Sequence, residues 1–363
     1  MSAGVRIAFR ADASAEIGLG HAMRCLTLAD LLRKSGARTR FVCRSLPDYL
    51  QRKLTQHGHE LILLAASAGN YRADELAHSG FLKTSQQVDA QQTREALADQ
   101  NWDWLVVDHY GIDHRYETAL RDTVRRVMAI DDIGDRQHDC ELLLDQNLYA
   151  DMKQRYDGKT PAACKLLLGP EFALLREEFL RLRQQVESPA TEIRHALVSL
   201  GGFDPCNLTQ VAVTALHRVF GKSLKLDVII GNEHPSRVEI ERICRMHDYR
   251  CHLHTERMAE FMAAADIAIG AGGSTSWERC CLGLAAITVA FADNQKDIAA
   301  SLEQAGACIF LGDQHTATQA AFEKTLQSLL VDRERLSMLS STAYSLVDGR
   351  GAQRVRDHLF SML

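Results

Sequence analysis

The feature that most constrains the fold of this chain is an alternation of short apolar runs with longer helical patterns, which occurs twice. Runs rich in strand-forming residues lie first at 5–9, 39–43, 60–64, 104–107, 127–130 and 142–144. A second series lies at 196–200, 225–230, 250–254, 267–269, 286–291 and 308–311. Continuously apolar runs are typical of parallel strands that are covered on both faces, here by helices such as 22–34 and 89–99. The sequence therefore predicts an α/β protein with two Rossmann-like domains.

The stretch between the two series marks the predicted domain boundary. Residues 181–191 are polar and contain Ser188-Pro189-Ala190, which indicates the end of a connecting helix and a linker. We expect an N-terminal domain over 1–180, a C-terminal domain over 192–345 and a C-terminal helix over 346–363. Ligands of such sheets bind beyond the carboxyl ends of the strands, so we also expect the two domains to face a cleft.

Composition narrows the possible partners and the compartment. The net charge is −5, with 42 basic and 47 acidic residues, which does not favour nucleic-acid binding. No apolar run reaches the roughly 18 residues that a membrane span requires. The ten cysteines show no C-x-x-C pair, and the N-terminus shows no apparent secretory leader. We therefore expect a cytoplasmic protein with reduced cysteines and neither a nucleic-acid nor a membrane partner.

The first candidate site is the turn Ile17-Gly18-Leu19-Gly20-His21, which joins the first apolar run to a helical segment. Gly18 and Gly20 let the backbone approach a ligand, and the helix N-terminus favours an anion. His21 can act as a general base near neutral pH, or it can simply cap the helix. Arg24 can hold an anion or pair with an acid. Asp12 can orient His21 or be an ordinary turn aspartate.

The second candidate site is the loop from Gly270 to Glu278, which also follows an apolar run. The amides and hydroxyls of Gly273, Ser274 and Thr275 suit a diphosphate, and the Glu278 carboxylate suits the two hydroxyls of a ribose. The alternative is a capped helix with an exposed glutamate. The loop is not a Walker motif, because no G-K-[ST] sequence ends it.

Several weaker motifs also end predicted strands. Gly201-Gly202 is a candidate second phosphate-facing turn or a simple connector, and Tyr110 follows another strand within Asp108-His109-Tyr110-Gly111. Asn294 can contact a sugar or begin a helix. Asp131 and Asp132 are adjacent, and strand neighbours point to opposite faces, which favours hydrogen bonding over a metal site.

The other histidines form no zinc motif with the cysteines, so we interpret them as structural or exposed. These include His57, His59, His247, His252 and His254.

Taken in order, these motifs resemble the nucleotide-sugar hydrolase family of pseudaminic acid biosynthesis, over residues near 5 to near 310. No single motif is specific, but their number and order are. The matching pieces are Phe9-Arg10-Ala11-Asp12, the turn ending at His21, Val107-Asp108-His109-Tyr110-Gly111-Ile112, Asp131-Asp132, His138-Asp139-Cys140, Asp145-Gln146-Asn147-Leu148-Tyr149-Ala150, Phe172-Ala173-Leu174-Leu175-Arg176-Glu177-Glu178-Phe179, Gly201-Gly202, Gly270 to Glu278 and Asn294-Gln295.

The resemblance implies a glycosyltransferase B type of fold and a specific reaction. Its substrate would be UDP-2,4-diacetamido-2,4,6-trideoxy-β-L-altropyranose, cleaved by inverting water attack at C1 without a metal or another cofactor. UDP would lie mainly in the C-terminal domain and the sugar mainly in the N-terminal one. By position, His21 would be the catalytic base, Tyr110 and Asn294 would lie near the sugar, and Glu278 would bind the ribose. The resemblance is compatible with a monomer.

Two alternatives stay open from the sequence. A UDP-sugar glycosyltransferase of the same fold would use the same nucleotide site but pass the sugar to an acceptor. A non-catalytic protein that binds nucleotide-sugars would keep the glycine loops and Glu278 without needing His21.

Overall fold

The structure is a computed structural model that describes residues 4–14, 16–66, 74–186, 189–201 and 204–363. By its internal contacts the chain divides into two units. The first comprises 1–147, 151–174 and 350–363, and the second comprises 148–150 and 175–349. The chain thus returns to the first unit with its last helix.

The first unit contains a parallel sheet of seven strands in the order β3-β2-β1-β4-β5-β6-β7. Its strands are β1 Arg6–Ala11, β2 Arg38–Cys43, β3 Glu60–Leu63, β4 Trp102–Asp108, β5 Val124–Ile130, β6 Leu142–Asp145 and β7 Lys165–Leu168. In β1, Ile7 and Phe9 belong to one buried cluster and Ala8 to another. Successive side chains of a strand point to opposite faces, so this sheet is covered on both sides, as its apolar runs predict.

The second unit contains a parallel sheet of six strands in the order β10-β9-β8-β11-β12-β13. Its strands are β8 His195–Ser199, β9 Lys225–Ile230, β10 Arg250–Leu253, β11 Ile267–Ala271, β12 Ala285–Ala290 and β13 Ile309–Asp313. Ile267, Ile269 and Ile287 lie within its buried core. The predicted class, two α/β domains with parallel sheets, is confirmed.

Helices connect most of the successive strands, and three more helices follow the last strand. The helices are α1 Gly20–Lys34, α2 Asp48–Gln56, α3 Gln86–Leu97, α4 His114–Ala119, α5 Glu177–Arg183, α6 Leu208–Phe220, α7 Arg237–Met246, α8 Met258–Ala264, α9 Thr275–Cys281, α10 Asp293–Gln304, α11 Gln319–Val331, α12 Arg333–Leu346 and α13 Gly351–Ser361. Among the described residues, no helix has the length and apolarity needed to cross a bilayer.

Candidate active site

The strand order of the first sheet reverses between β1 and β4, which lie side by side with Ala11 opposite Asp108. The chain continues from β1 to β2 on one side of this point and from β4 to β5 on the other. Doubly wound sheets bind ligands in the crevice beyond such a reversal. Both the His21 turn and the Asp108 motif start from these two strand ends. The topology therefore brings together two motifs that are distant in sequence.

The turn before α1 directs His21 inward. Gly18 has a φ of +82°, a conformation that favours glycine, and its N–H donates to the carbonyl of Ser14 over 2.8 Å. The helix then begins at Gly20. Leu19 is 43% exposed, whereas His21 is only 5% exposed. A solvent-facing turn thus precedes a histidine whose ring is held within the protein.

His21 is paired with a buried aspartate. Its Nδ1 lies 2.5 Å from Oδ1 of Asp108. Burial raises the pKa of Asp108, but the Arg24 guanidinium and His21 outweigh it, so the net pKa lies well below the usual range. An anionic carboxylate at this distance requires the proton on Nδ1. Nε2 of a neutral His21 is then the acceptor nitrogen, as a general base requires.

Arg24 and Tyr110 complete this network. Arg24 donates to Asp108 from Nε over 2.6 Å and from Nη2 over 2.7 Å, and from Nη1 to Asp132 over 2.8 Å. Nη2 also lies 3.3 Å from Nδ1 of His21, but its shorter bond goes to Asp108. Of the two alternatives for Arg24, the structure therefore shows pairing with acids.

Tyr110 packs on the histidine itself. The rings of His21 and Tyr110 meet edge to face, with centroids 4.4 Å apart. The Tyr110 hydroxyl donates to Oδ1 of Asp132 over 2.6 Å. Burial and the charge of Asp132 raise the pKa of Tyr110 far above its usual value, so its hydroxyl is neutral. Tyr110, predicted to lie near the sugar, thus lies beside the predicted base.

Asp12 has other partners. Both of its oxygens accept from Arg10, over 2.8 and 3.0 Å, and Oδ1 also accepts from the backbone N–H of Arg44. The interpretation that Asp12 orients His21 is wrong, because Asp108 holds that position. In the sequence, Asp108 belongs only to one of the weaker motifs. Its position at the end of β4, next to β1, is what identifies it as the partner of His21.

Carboxylates also lie at or directly after the ends of two further strands of this sheet, β6 and β5. Asp131 accepts from the backbone N–H of Gly134 over 2.9 Å, whereas Asp132 bonds Arg24 and Tyr110. Asp131 and Asp132 thus have different hydrogen-bond partners, which agrees with the hydrogen-bonding role predicted for this pair. Asp145 ends β6, and one oxygen accepts from the Tyr156 hydroxyl over 2.9 Å. Burial, assisted by the charge of Asp132, raises the pKa of Asp145 to about 7.

The second sheet reverses its strand order between β8 and β11, with Ser199 opposite Gly270. Gly201 follows β8, is exposed and has a φ of +99°. The Gly273 loop follows β11. Two predicted phosphate-facing turns therefore begin from neighbouring strands, while Gly202 lies outside the described residues.

A buried arginine holds the loop after β11. Arg279 donates to the carbonyl of Ala271 over 2.8 Å and to the Ser276 hydroxyl over 2.9 Å. Burial lowers the pKa of Arg279. A Cβ on Gly270 would collide with this guanidinium, so a larger residue there would have to displace Arg279 from its bonds.

The loop presents polar groups without a side-chain cap. Ser274 occupies the position before α9 and is exposed, and its side chain makes no capping bond to that helix. Thr275 begins α9. The capped-helix alternative therefore does not explain Ser274.

Glu278 and Asn294 lie on the two helices that follow β11 and β12. The Glu278 side chain is 18% exposed and lies 3.5 Å from Nη2 of Arg176. Burial raises the pKa of Glu278, and the charges of Arg176 and Arg279 partly counter it. Asn294 is exposed in the first turn of α10. The sequence alone gives Arg176 no separate role, because only the fold brings it to Glu278.

Comparison with known proteins identifies the fold. Residues 178–355 match the family model described as Glycosyltransferase family 28 C-terminal domain. MurG of Acinetobacter baumannii superposes with a TM-score of 0.68 at 15% identity, covering 99% of this chain and 100% of that one. UGT2 of Phytolacca americana, solved with UDP-2fluoro-glucose and pterostilbene, superposes with a TM-score of 0.70 at 10% identity, covering 99% of each chain. The chain has the glycosyltransferase B fold.

A curated relative confirms the resemblance drawn from the motifs. It is the UDP-2,4-diacetamido-2,4,6-trideoxy-β-L-altropyranose hydrolase of Campylobacter jejuni. The two sequences are 23% identical over 304 residues, which cover 83% of this chain and 97% of the relative. The similarity thus extends over both sheets and is not confined to the C-terminal part.

Proposed function

We propose that this protein hydrolyses UDP-2,4-diacetamido-2,4,6-trideoxy-β-L-altropyranose to UDP and the free sugar. The observation that carries the proposal is the buried pair of His21 and Asp108 beyond the carboxyl ends of β1 and β4. The hydrolase from Campylobacter jejuni, similar over 83% of the chain, supports this choice of substrate.

His21 would activate the water. Its Nε2 takes a proton while the water oxygen bonds to C1 of the sugar, on the face opposite UDP. The C1–O bond breaks at the same time, and its electron pair leaves with UDP, so the configuration at C1 inverts. Asp108 is a positioning residue that keeps the proton on Nδ1 and stabilises the imidazolium that forms.

The second unit would hold the leaving group. The amides of the loop at Gly273 and the hydroxyls of Ser274 and Thr275 would bind the diphosphate, assisted by Gly201, and Glu278 would accept bonds from the ribose hydroxyls. UDP is already a stabilised anion, so its departure needs little protonation. Tyr110 and Asn294 would contact the sugar.

The decisive test is release of UDP and reducing sugar without any acceptor, in the presence of EDTA. We expect equal amounts of both products from the native chain. His21→Ala should lower kcat by about 10²–10⁴-fold, because the general base is removed. His247→Ala, at a stacked histidine pair of the second unit, is the matched control and should keep native turnover.

A glycosyltransferase is the second candidate, favoured by the family 28 match over 178–355 and by the MurG-like fold. It predicts UDP release that depends on an added acceptor. UDP binding with no product under either condition would instead indicate a non-catalytic nucleotide-sugar binding protein. Either result would refute the hydrolase.

A further inference from the structure

A second group of histidines lies in the first unit, at the other end of α1 from His21. It consists of Asp30, His57 and His59, here named the Asp30 cluster. Nδ1 of His57 lies 3.0 Å from both oxygens of Asp30, and Nε2 of His59 lies 2.9 Å from Oδ1. Asp30 lies nine positions after His21, or about 14 Å along the helix axis. The cluster is therefore separate from the proposed reaction.

Three elements supply the cluster. Asp30 lies on α1, His57 directly follows α2, and His59 directly precedes β3. The His59 side chain is fully buried, whereas those of His57 and Asp30 are 38% and 33% exposed. The site thus has a fixed inner ligand and an outer side that is open to solvent.

A further partner orients the buried histidine. Nδ1 of His59 lies 2.6 Å from the hydroxyl of Thr39, on β2. With that nitrogen engaged by a hydroxyl, Nε2 points at Asp30. Histidines that bind metals are commonly held in this way, with the second ring nitrogen bonded to a neighbouring polar group that fixes the tautomer.

We propose that the Asp30 cluster binds a divalent transition-metal cation of the zinc class. The ligands would be Nδ1 of His57, Nε2 of His59 and one carboxylate oxygen of Asp30, with water in the open position. The donor set of two imidazoles and a carboxylate suits Zn²⁺, whereas Mg²⁺ and Ca²⁺ prefer oxygen ligands only. The candidate ligand atoms all lie within 4.8 Å of one another.

The adjustment needed for binding is small. Metal–ligand bonds of about 2.0–2.2 Å in a tetrahedral site place the ligand atoms about 3.3–3.6 Å apart. The nitrogen–oxygen distances of 2.9–3.0 Å therefore have to open by a few tenths of an ångström. No pair of candidate ligand atoms is more than 4.8 Å apart, and the half-exposed His57 is the ligand whose side chain has room to move.

A contrasting group in the second unit differs from the Asp30 cluster in the partners of its carboxylate. At the Asp30 cluster the neighbouring Arg33 of α1 donates to the carbonyl of Gly58. Asp227 is also bonded by two imidazoles, from His195 over 2.6 Å and His252 over 2.7 Å. There, however, the Arg250 guanidinium bonds the same carboxylate. A resident cation repels a second one and already neutralises the acid. The Asp227 group is therefore not expected to bind a metal, and it supplies the control variant for the test.

The test is zinc binding to the chelator-treated full chain, measured by titration calorimetry, together with thermal unfolding. The native chain should bind one equivalent that is lost in His59→Ala and in His57→Gln. Zinc should raise the melting temperature of the native chain but not that of the two variants. His252→Ala should behave as the native chain does. His57→Gln removes a half-exposed side chain, so it keeps the test valid if His59→Ala fails to fold.

Cobalt identifies the ligands, because the chain has ten cysteines that can also bind metal. Cobalt bound at the Asp30 cluster should give ligand-field bands without the thiolate charge-transfer absorption. Thiolate bands, zinc uptake that is unchanged in His57→Gln, or no uptake by the native chain would each overturn the proposal. The result is independent of turnover, so it does not depend on the hydrolase assignment.

Discussion

At the scale of single residues, the mechanism depends on which nitrogen of His21 carries the proton. Asp108→Asn replaces the anionic acceptor 2.5 Å from Nδ1 with an amide that no longer selects the tautomer. We expect kcat to fall by about 10²–10⁴-fold, the range for loss of general-base catalysis, with little change in UDP affinity. The measurements are steady-state kinetics and UDP titration calorimetry.

The control for Asp108→Asn is Cys25→Ala, which removes another group in contact with the same carboxylate, 3.5 Å away. That variant should keep kcat within a few-fold. Native turnover in Asp108→Asn would show that Asp108 does not position the base. A parallel loss of UDP binding would indicate a structural defect instead.

Asp145 gives a pH dependence with a defined sign. Its pKa of about 7 exceeds the value of about 3.9 for an unfolded aspartate, so the folded state holds the extra proton between these values. The stability from this group is fully present below about pH 4 and is lost as pH rises through 7. Relative to Asp145→Asn, the native chain should lose up to about 4 kcal/mol between pH 4 and 8.

The comparison is made by urea unfolding at several pH values, with each native value subtracted from that of Asp145→Asn. The subtraction removes the opposite trend of carboxylates such as Asp108 and Asp12, whose pKa values are lowered in the folded state. A difference that stays constant with pH would contradict the raised pKa of Asp145.

At the scale of elements, the two glycines before His21 differ in backbone conformation, so alanine should have opposite effects on stability at the two positions. Gly18 has a φ of +82°, whereas Gly20 begins α1 without a positive φ, and an added Cβ at either position meets nothing within 4 Å. Backbone conformation alone therefore decides the outcome. We expect Gly18→Ala to lower stability by about 1–2 kcal/mol and Gly20→Ala to raise it by about 0.4–1 kcal/mol.

Chemical denaturation of the two variants beside the native chain tests this pair. Each variant is the control of the other, since both add one methyl group to the same exposed turn. Equal effects of the same sign would show that the turn does not require the left-handed conformation at Gly18.

Most elements could be predicted from the sequence, because buried parallel strands are continuous apolar runs. The strand Lys165–Leu168 is absent from the predicted series, because a run of four residues that begins with an exposed lysine gives little periodicity. Its pairing with β6 depends on the tertiary fold. The C-terminal helix predicted over 346–363 begins later in the structure, as α13 Gly351–Ser361, and Gly349 with a φ of +80° precedes it.

In the candidate site, too, local features could be predicted from the sequence, whereas partners distant in sequence could not. The glycine turn with His21 is local, so its place between a strand and a helix followed from its neighbours in sequence. Asp108 reaches His21 only because β4 lies beside β1, and Arg176 reaches Glu278 across 102 positions. Partners of this kind are set by strand order and packing, which no short motif encodes.

At the scale of the whole molecule, the first unit depends on the end of the chain. Leu359 of α13 is fully buried in its core, and the Trp104 indole donates to the Leu359 carbonyl over 3.1 Å. Leu359→Ala should therefore destabilise the first unit by about 2–5 kcal/mol, although it lies more than 200 positions after β4. The matched variant is Leu329→Ala, which removes a buried leucine of α11 from the core of the second unit.

Calorimetry with and without UDP distinguishes the two leucine variants. If UDP binds the second unit, ligand should raise the melting transition that Leu329→Ala lowers and leave the transition that Leu359→Ala lowers in place. UDP affinity at low temperature should be native in Leu359→Ala, because its cavity lies in the other core. If UDP instead shifted only the transition that Leu359→Ala lowers, the nucleotide would be assigned to the first unit. It would then remove the Gly273 loop and Glu278 from the proposed mechanism while leaving the His21–Asp108 pair intact.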